Sequence, residues 1–177
     1  MSKTPLQTVP YDRKYNRKSF SCGKPPLDNY ILKNATKDVK AGACTCFVIL
    51  NKQDDVIAYY TLSSESIPKD DAPKEYVKSV KYDNIPVILL GRLARDNSVK
   101  GKGYGKFMLI EALKKSVKVA KEHVGAVAVI VDPIDEEAIS YYSKYGFTML
   151  PDSGRMFMSI KKIEKALELA EESKSDT

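Results

Sequence analysis

Two apolar runs with an amphipathic stretch between them organise the chain. Val87 to Leu90 is a continuous run of β-branched and leucine residues, extended past Gly91 by Leu93 and Ala94; this is how a strand covered on both faces reads. Beyond Gly105, Leu109, Ala112, Leu113, Ser116 and Ala120 recur at three-and-four spacing, while Lys106, Lys114, Lys115, Lys118 and Lys121 take the other sides. That pattern predicts a helix with one core-facing stripe. Ala126 to Val131 is a second apolar strand, ended by Asp132-Pro133. Asp135 then stands where a helix cap belongs, Ala138, Tyr141, Tyr142 and Tyr145 lie near one side of a short helix, and Gly146 can close it. Phe147 opens the next extended run.

The flanking segments follow the same rules. Met1 to Pro10 reads as an extended arm. From Pro26 to Val39, Leu27, Tyr30, Ile31, Asn34 and Ala35 suit an amphipathic helix, and Cys44 to Leu50 reads as a strand with Phe47 and Ile49 on one face. Asn51 to Asp55 is a turn, so Val56 to Leu62 is expected to be the second arm of a hairpin. Residues 64 to 86 carry Pro68, Pro73 and Pro86 and read as a surface excursion, either substrate-facing or a plain loop, with a short helix near Lys74 to Val80. Arg155 to Ile160 fits a further strand, and Ile163, Leu167 and Ala170 give the C-terminal segment a helical stripe. No internal repeat or linker divides the chain, so 1–177 is expected to be one domain, with a core at about 15–160 and a C-terminal helix at about 161–173.

Composition narrows the class. A chain of 177 residues, 43% hydrophobic, can bury a full core. No run approaches the length of a membrane span and no apolar signal-peptide centre follows the N-terminus, so a cytoplasmic location is expected. The three cysteines, Cys22, Cys44 and Cys46, are odd in number and form no C-x-x-C pair, which suits small thiols better than a disulfide or a metal site. No metal-ligating cluster is visible. The formal net charge of +6 is concentrated at Arg13 to Lys18, Lys100 to Lys106, Lys114 to Lys121 and Lys161 to Lys165. Such clusters attract phosphate polyanions, although each is also explained by a solvated lysine face.

Between the first strand and its helix lies Lys100-Gly101-Lys102-Gly103-Tyr104-Gly105. Alternate glycines let successive N–H groups turn toward one point, and the first helical turn adds unpaired donors and the positive end of its dipole, as a pyrophosphate site requires. A plain connecting turn is the alternative. Spacing excludes two other phosphate loops: Gly105-Lys106 is followed by Phe107 where a Walker loop needs Ser or Thr, and the pattern is not G-x-G-x-x-G.

The order strand, K-x-x-G-x-G, helix, strand, A-x-x-Y-Y-x-x-x-G-F resembles the GNAT N-acetyltransferase superfamily. More narrowly, Leu90-Gly91-Arg92-Leu93-Ala94, the N-terminal Ser19-Phe20-Ser21-Cys22-Gly23 followed by Leu27-Asp28, and Tyr59 to Ser63 resemble the acetyltransferase toxins of toxin–antitoxin modules, the TacT and AtaT group. The match is spread over roughly residues 15 to 160. It implies a mixed, mostly antiparallel sheet of about six or seven strands flanked by helices, with coenzyme entering where two neighbouring parallel strands splay. Acetyl-CoA is the implied cosubstrate. Lys100, Gly101, Lys102, Gly103, Tyr104, Gly105 and Lys106 would take its pyrophosphate; the backbone of Leu93, Ala94 and Arg95 would pair with the pantetheine; and the Leu93 N–H would face the thioester oxygen. Asp132 and Ser140 would line the adenine or pantetheine side, and Lys144 would contact a phosphate, each with a surface role as its alternative. Counted back from Gly146-Phe147, Tyr142 matches the tyrosine placed near the thioester sulfur, where a phenol of pKa about 10 can protonate the departing thiolate. Helix spacing alone would give Tyr142 a packing role. Two positions depart from the family: Lys100 stands where Gln or Arg is usual, and Arg95 where the toxins have a small apolar residue.

No strong general base is evident. His123 is the only histidine and falls near the end of the long helix; Glu65 and Asp96 are candidates acting through water. An α-amino group, with a pKa near 8, is partly nucleophilic at neutral pH without a base, whereas a lysine ε-amine near 10.4 is not. This favours aminoacyl-tRNA as acceptor, in keeping with the basic clusters and with the substrate class the resemblance implies. Arg92 and Arg95 are then candidates for RNA phosphates, Arg92 having an ion pair beneath the cleft as its alternative. The alternative acceptors are a protein N-terminus, a polyamine or another small amine. A non-catalytic reading is a coenzyme-binding subunit or an antitoxin-dependent co-repressor. The resemblance also implies a ribbon-helix-helix antitoxin and a homodimer.

Overall fold

The computed structural model describes residues 5–175. Seven strands form one sheet in the order β1-β2-β3-β4-β5-β7-β6. They are β1 (Val9–Pro10), β2 (Thr45–Leu50), β3 (Val56–Pro68), β4 (Asn84–Arg95), β5 (Ala128–Val131), β6 (Thr148–Met149) and β7 (Met156–Ser159). The helices are α1 (Pro25–Asn29), α2 (Ala35–Lys40), α3 (Lys74–Val77), α4 (Tyr104–Glu122), α5 (Glu136–Lys144) and α6 (Ile160–Ser175), with a π-helical segment Tyr30–Asn34 between α1 and α2. Pairing is antiparallel for β1/β2, β2/β3, β5/β7 and β6/β7, and parallel for β4/β5. The mixed, mostly antiparallel sheet flanked by helices agrees with the expected fold class.

By packing, the chain divides into two compact units, each visited twice: residues 5–63 with Gly91–Ala112, and Ser64–Leu90 with residues 113–175. The first closes over Phe20, Tyr30, Ile31, Ala35, Cys46, Val48, Val56, Tyr59 and Ala94. The second closes over Ile67, Val77, Ile85, Val87, Ala128, Ile130, Leu150 and Phe157. β5 is buried at every position, as its unbroken apolar sequence requires.

Several boundaries differ from the sequence expectation. Of the expected N-terminal arm, residues 1–4 lie outside the described residues, while Val9 and Pro10 pair with Val48 and Phe47 as an edge strand, a place where a proline without an N–H is tolerated. β3 runs to Pro68 rather than Leu62. Its Ser64, Glu65 and Ser66 are exposed, so no apolar alternation marks them. The excursion that follows is tied down by Lys69 N–H to Asp83 O at 2.8 Å and Asp152 N–H to Asp71 Oδ1 at 3.0 Å. The helix expected over 26–39 contains the π segment, in which Ala35 N–H bonds Tyr30 O, five residues back. Asn34, expected on its apolar stripe, is exposed. On α4, Met108, Leu109, Ala112, Leu113 and Ser116 are buried, whereas Ala120 is only half-buried.

Candidate active site

The first unit carries the glycine loop. β4 pairs with β5 from Val87↔Ala128 to Leu90↔Val131, and β4 then continues to Arg95 while β5 ends. Ala94 is buried in the first core, so strand alternation puts the Leu93 and Arg95 side chains on the opposite face of β4. Asp96 terminates the strand and fixes the turn. Its Oδ2 accepts from Ser21 N–H at 2.8 Å and its Oδ1 from Ser98 N–H at 2.9 Å. Burial alone would raise its pKa, but these hydrogen bonds outweigh it and hold the carboxyl below its usual range. Asp96 therefore caps the Asn97–Val99 turn, and its two oxygens serve main-chain donors rather than a water.

Past this turn the backbone is left-handed at Gly101 (φ +73°) and Gly103 (φ +83°). A Cβ at either position would meet nothing within 4 Å; the backbone angle, not crowding, calls for glycine. Gly105 already lies within α4. The first ladder bond runs from Phe107 N–H to Gly103 O at 3.0 Å, which leaves the N–H groups of Tyr104, Gly105 and Lys106 ahead of the ladder. Lys100, Lys102 and Lys106 are exposed. Among the described residues none of the three has a carboxylate partner. The loop thus presents main-chain donors inside a rim of unpaired ammonium groups, an arrangement suited to an oligophosphate.

The second unit carries the tyrosine helix. Asp135 caps α5, its Oδ1 accepting from Ala138 N–H at 2.8 Å. At the other end Gly146 adopts φ +98°, Phe147 N–H returns to Tyr142 O at 3.1 Å, and Lys162 Nζ donates to Gly146 O at 2.6 Å. Tyr142 is 8% exposed and packs edge-on against Tyr141 and Phe147, both with ring centroids 5.4 Å away. Burial, with a smaller contribution from Tyr141, pushes its pKa well above the ordinary phenol value. Among the described residues its hydroxyl has no hydrogen-bond partner. Ser140 and Lys144 are exposed on the same helix.

Asp132, expected beside the coenzyme, is held by Arg155. The guanidinium Nε lies 2.7 Å from Oδ1 and an NH2 group 3.2 Å from Oδ2, and Glu65 Oε2 lies 3.7 Å from the same arginine. Glu65, considered as a base, is thus one side of a carboxylate–guanidinium–carboxylate bridge. Arg155 was not marked by sequence, where it reads only as the start of a strand. His123 is exposed next to Glu122. Arg92 does not form the ion pair given as its structural alternative; its guanidinium stacks on Tyr30, 3.5 Å from the ring centroid. Cys22, Cys44 and Cys46 are free thiols, and burial pushes Cys22 up to about 11 and Cys46 up to about 12. Among the described residues no group of three or more His, Cys, Asp or Glu is placed to hold a metal ion, and no helix is long and apolar enough to cross a membrane.

No family model matches the chain. It is 34% identical over 149 residues to a tRNA-acetylating toxin of Mycobacterium tuberculosis, covering 84% of this chain and 88% of that protein. The fold superposes with a TM-score of 0.84 on AtaT complexed with acetyl-methionyl-tRNAfMet, at 25% identity over 92% of this chain and 99% of the other. It superposes with a TM-score of 0.80 on AtaTR bound with acetyl-CoA, at 25% identity over 92% and 98%. A glycine loop opening α4, a tyrosine helix closed by Gly-Phe, and these likenesses along nearly the whole chain converge: the protein belongs to the GNAT-fold acetyltransferase toxins of the TacT and AtaT group.

Proposed function

We propose that the protein transfers the acetyl group of acetyl-CoA to the α-amino group of the amino acid carried by a charged tRNA. The acylated amine can no longer attack a peptidyl ester, so translation stops. The observation that carries this reading is that the chain holds both an oligophosphate loop, in its first unit, and a buried phenol, in its second, whose hydroxyl has no hydrogen-bond partner among the described residues. Resemblance to a tRNA-acetylating toxin over most of the chain supports the choice of acceptor.

In this mechanism the main-chain N–H groups of Gly101 and of 103–106, with the rim of Lys100, Lys102 and Lys106, hold the coenzyme pyrophosphate, while the Lys102 N–H closes the turn on Val99 O. The backbone of Leu93, Ala94 and Arg95 aligns the pantetheine, and the Leu93 N–H donates to the thioester oxygen as negative charge develops there. Ser140 and Lys144 supply polar contacts to the coenzyme, while Asp132 acts through its hold on Arg155. The free α-amine attacks the carbonyl carbon, the C–S bond breaks, and Tyr142 delivers its proton to the leaving thiolate; the proton lost by the amine restores the phenol. Asp96 and Glu65 are engaged elsewhere, and an α-amine of pKa near 8 supplies enough neutral nucleophile without a base. A polyamine acceptor would be repelled by the unpaired lysine rim. The same reading includes a homodimer and a ribbon-helix-helix antitoxin with which the toxin acts as a repressor.

The direct test is transfer of labelled acetyl from acetyl-CoA to charged and to deacylated tRNA. Label retained on charged tRNA and recovered as an N-acetylamino acid after deacylation is expected. Failure with both tRNAs, alongside acetylation of a free amine, overturns the acceptor assignment.

A further inference from the structure

We infer that Arg92, laid flat on the ring of Tyr30, is a receptor for a backbone phosphate of the RNA acceptor. This rests on the tRNA reading above and names a contact for it.

The first observation is the platform. Tyr30 is 4% exposed and is fixed at both ends. Its hydroxyl donates to Asp38 Oδ2 at 2.9 Å and lies 3.4 Å from Cys44 Sγ, and its ring stacks on Tyr59 at an interplanar angle of 20°. Tyr30 also opens the π segment, a local irregularity that often accompanies functional sites. The second observation is what the platform leaves open. Stacking engages one face of the guanidinium, while its N–H donors lie in the plane and point outward from the edge. Arg92 is half-buried. Among the described residues no hydrogen-bond acceptor and no carboxylate within 4.0 Å takes any of those donors. A partly desolvated guanidinium without an acid calls for an anion from outside, and two coplanar oxygens on one centre match the fork.

The third observation selects RNA over coenzyme. Arg92 shares a face of β4 with Ala94, the face covered by the Tyr30 helix, whereas the glycine loop with its own lysines supplies donors for the coenzyme phosphates. On the Tyr30 helix, Lys33, Lys37 and Lys40 are exposed, and among the described residues none has a carboxylate partner. A phosphodiester chain seated on Arg92 would run along these cations.

The test measures affinity of the full-length protein for deacylated tRNA over a range of salt concentrations. It uses wild type, Arg92→Gln, Arg92→Ala, Tyr30→Leu and Tyr30→Phe, with acetyl-CoA affinity measured in parallel. Arg92→Gln is expected to weaken RNA binding about tenfold and to reduce the slope of log K against log salt by about 0.7 to 0.9, the signature of one lost phosphate contact. Tyr30→Leu, which removes the ring, should lose most of the same affinity; Tyr30→Phe, which keeps it, should retain the wild-type slope. Arg92→Gln spares the stem if Arg92→Ala fails to fold. A folded Arg92→Gln with the wild-type slope, or a loss confined to acetyl-CoA, overturns the inference while leaving the tRNA reading intact. A wild-type protein with no salt-dependent RNA binding overturns both.

Discussion

The two compact units treat their polar groups in opposite ways. In residues 5–63 with Gly91–Ala112, the groups that matter are left open: main-chain donors ahead of the α4 ladder and, among the described residues, three lysines without a carboxylate partner and Arg92 engaged only through its face. In Ser64–Leu90 with residues 113–175, the groups singled out above are closed off, Ser140 and the surface lysines apart. Arg155 holds Asp132 and Glu65, Lys121 pairs with Glu164, Lys162 caps Gly146, and Tyr142 lies under aromatic rings. Receiving a polyanion requires donors that nothing inside the protein has satisfied. A phenol that must stay protonated until a thiolate forms requires the reverse, a dry setting that penalises its anion. One unit is shaped by what it leaves unpaired, the other by what it buries.

That contrast can be broken most sharply at Tyr142. Tyr142→Phe should lower kcat by about 10² to 10⁴ and leave acetyl-CoA affinity within a few-fold, measured by acetyl transfer and calorimetry. Retained activity would remove the closed unit from the chemistry. Because burial raises the Tyr142 pKa, the phenol stays protonated past pH 10, so a kcat–pH profile should show no loss from this group up to about that pH. The linkage sign follows: Tyr59 and Tyr142 are raised in the fold, so the unfolded chain releases its protons first. Stability is then full below about pH 10 and declines as pH rises beyond it.

The open unit is tested at Gly103. Gly103→Ala places a side chain on a left-handed backbone at a cost of about 1 kcal/mol. The loop can escape that strain by turning its donors away, so the acetyl-CoA KM should rise about tenfold or more with little change in kcat. An unaltered KM with an intact fold would mean that the N–H groups of Gly101 and of 103–105 hold no ligand. Arg155→Ala should lower unfolding free energy by about 2 kcal/mol, since it leaves Asp132 and Glu65 facing each other without their cation; chemical denaturation measures it. Asp135→Ala should have the smallest effect, about 1 kcal/mol from loss of the α5 cap, seen as a lower Tm.

Much of this was legible in the chain because local chemistry and tertiary role coincide. Val87–Leu90 and Ala128–Val131 are apolar at every position and became the buried parallel pair; Asp135 and Gly146 bracket α5 as their side-chain and backbone preferences require. The Arg155–Asp132–Glu65 bridge was not legible, since Glu65 lies within β3, Asp132 just past β5 and Arg155 just ahead of β7, and no spacing relates them. The π segment was hidden because apolar residues at mixed three, four and five spacing do not by themselves tell a π turn from an α turn; the extra residue put Ala35 rather than Asn34 on the buried side. Asp96 looked available as a base until the Ser21 and Ser98 N–H groups were seen to occupy it.

The sequence by itself determined the elements with a strong hydrophobic period, the glycine loop between strand and helix, and the tyrosine pair ahead of Gly-Phe, because each is written in consecutive residues. Tertiary structure alone decided which charges are neutralised and which remain open, since a side chain's partner is chosen by the fold that brings distant segments together. Arg92 and Arg155 are the same residue type, one in each unit; one found a tyrosine face and the other two carboxylates.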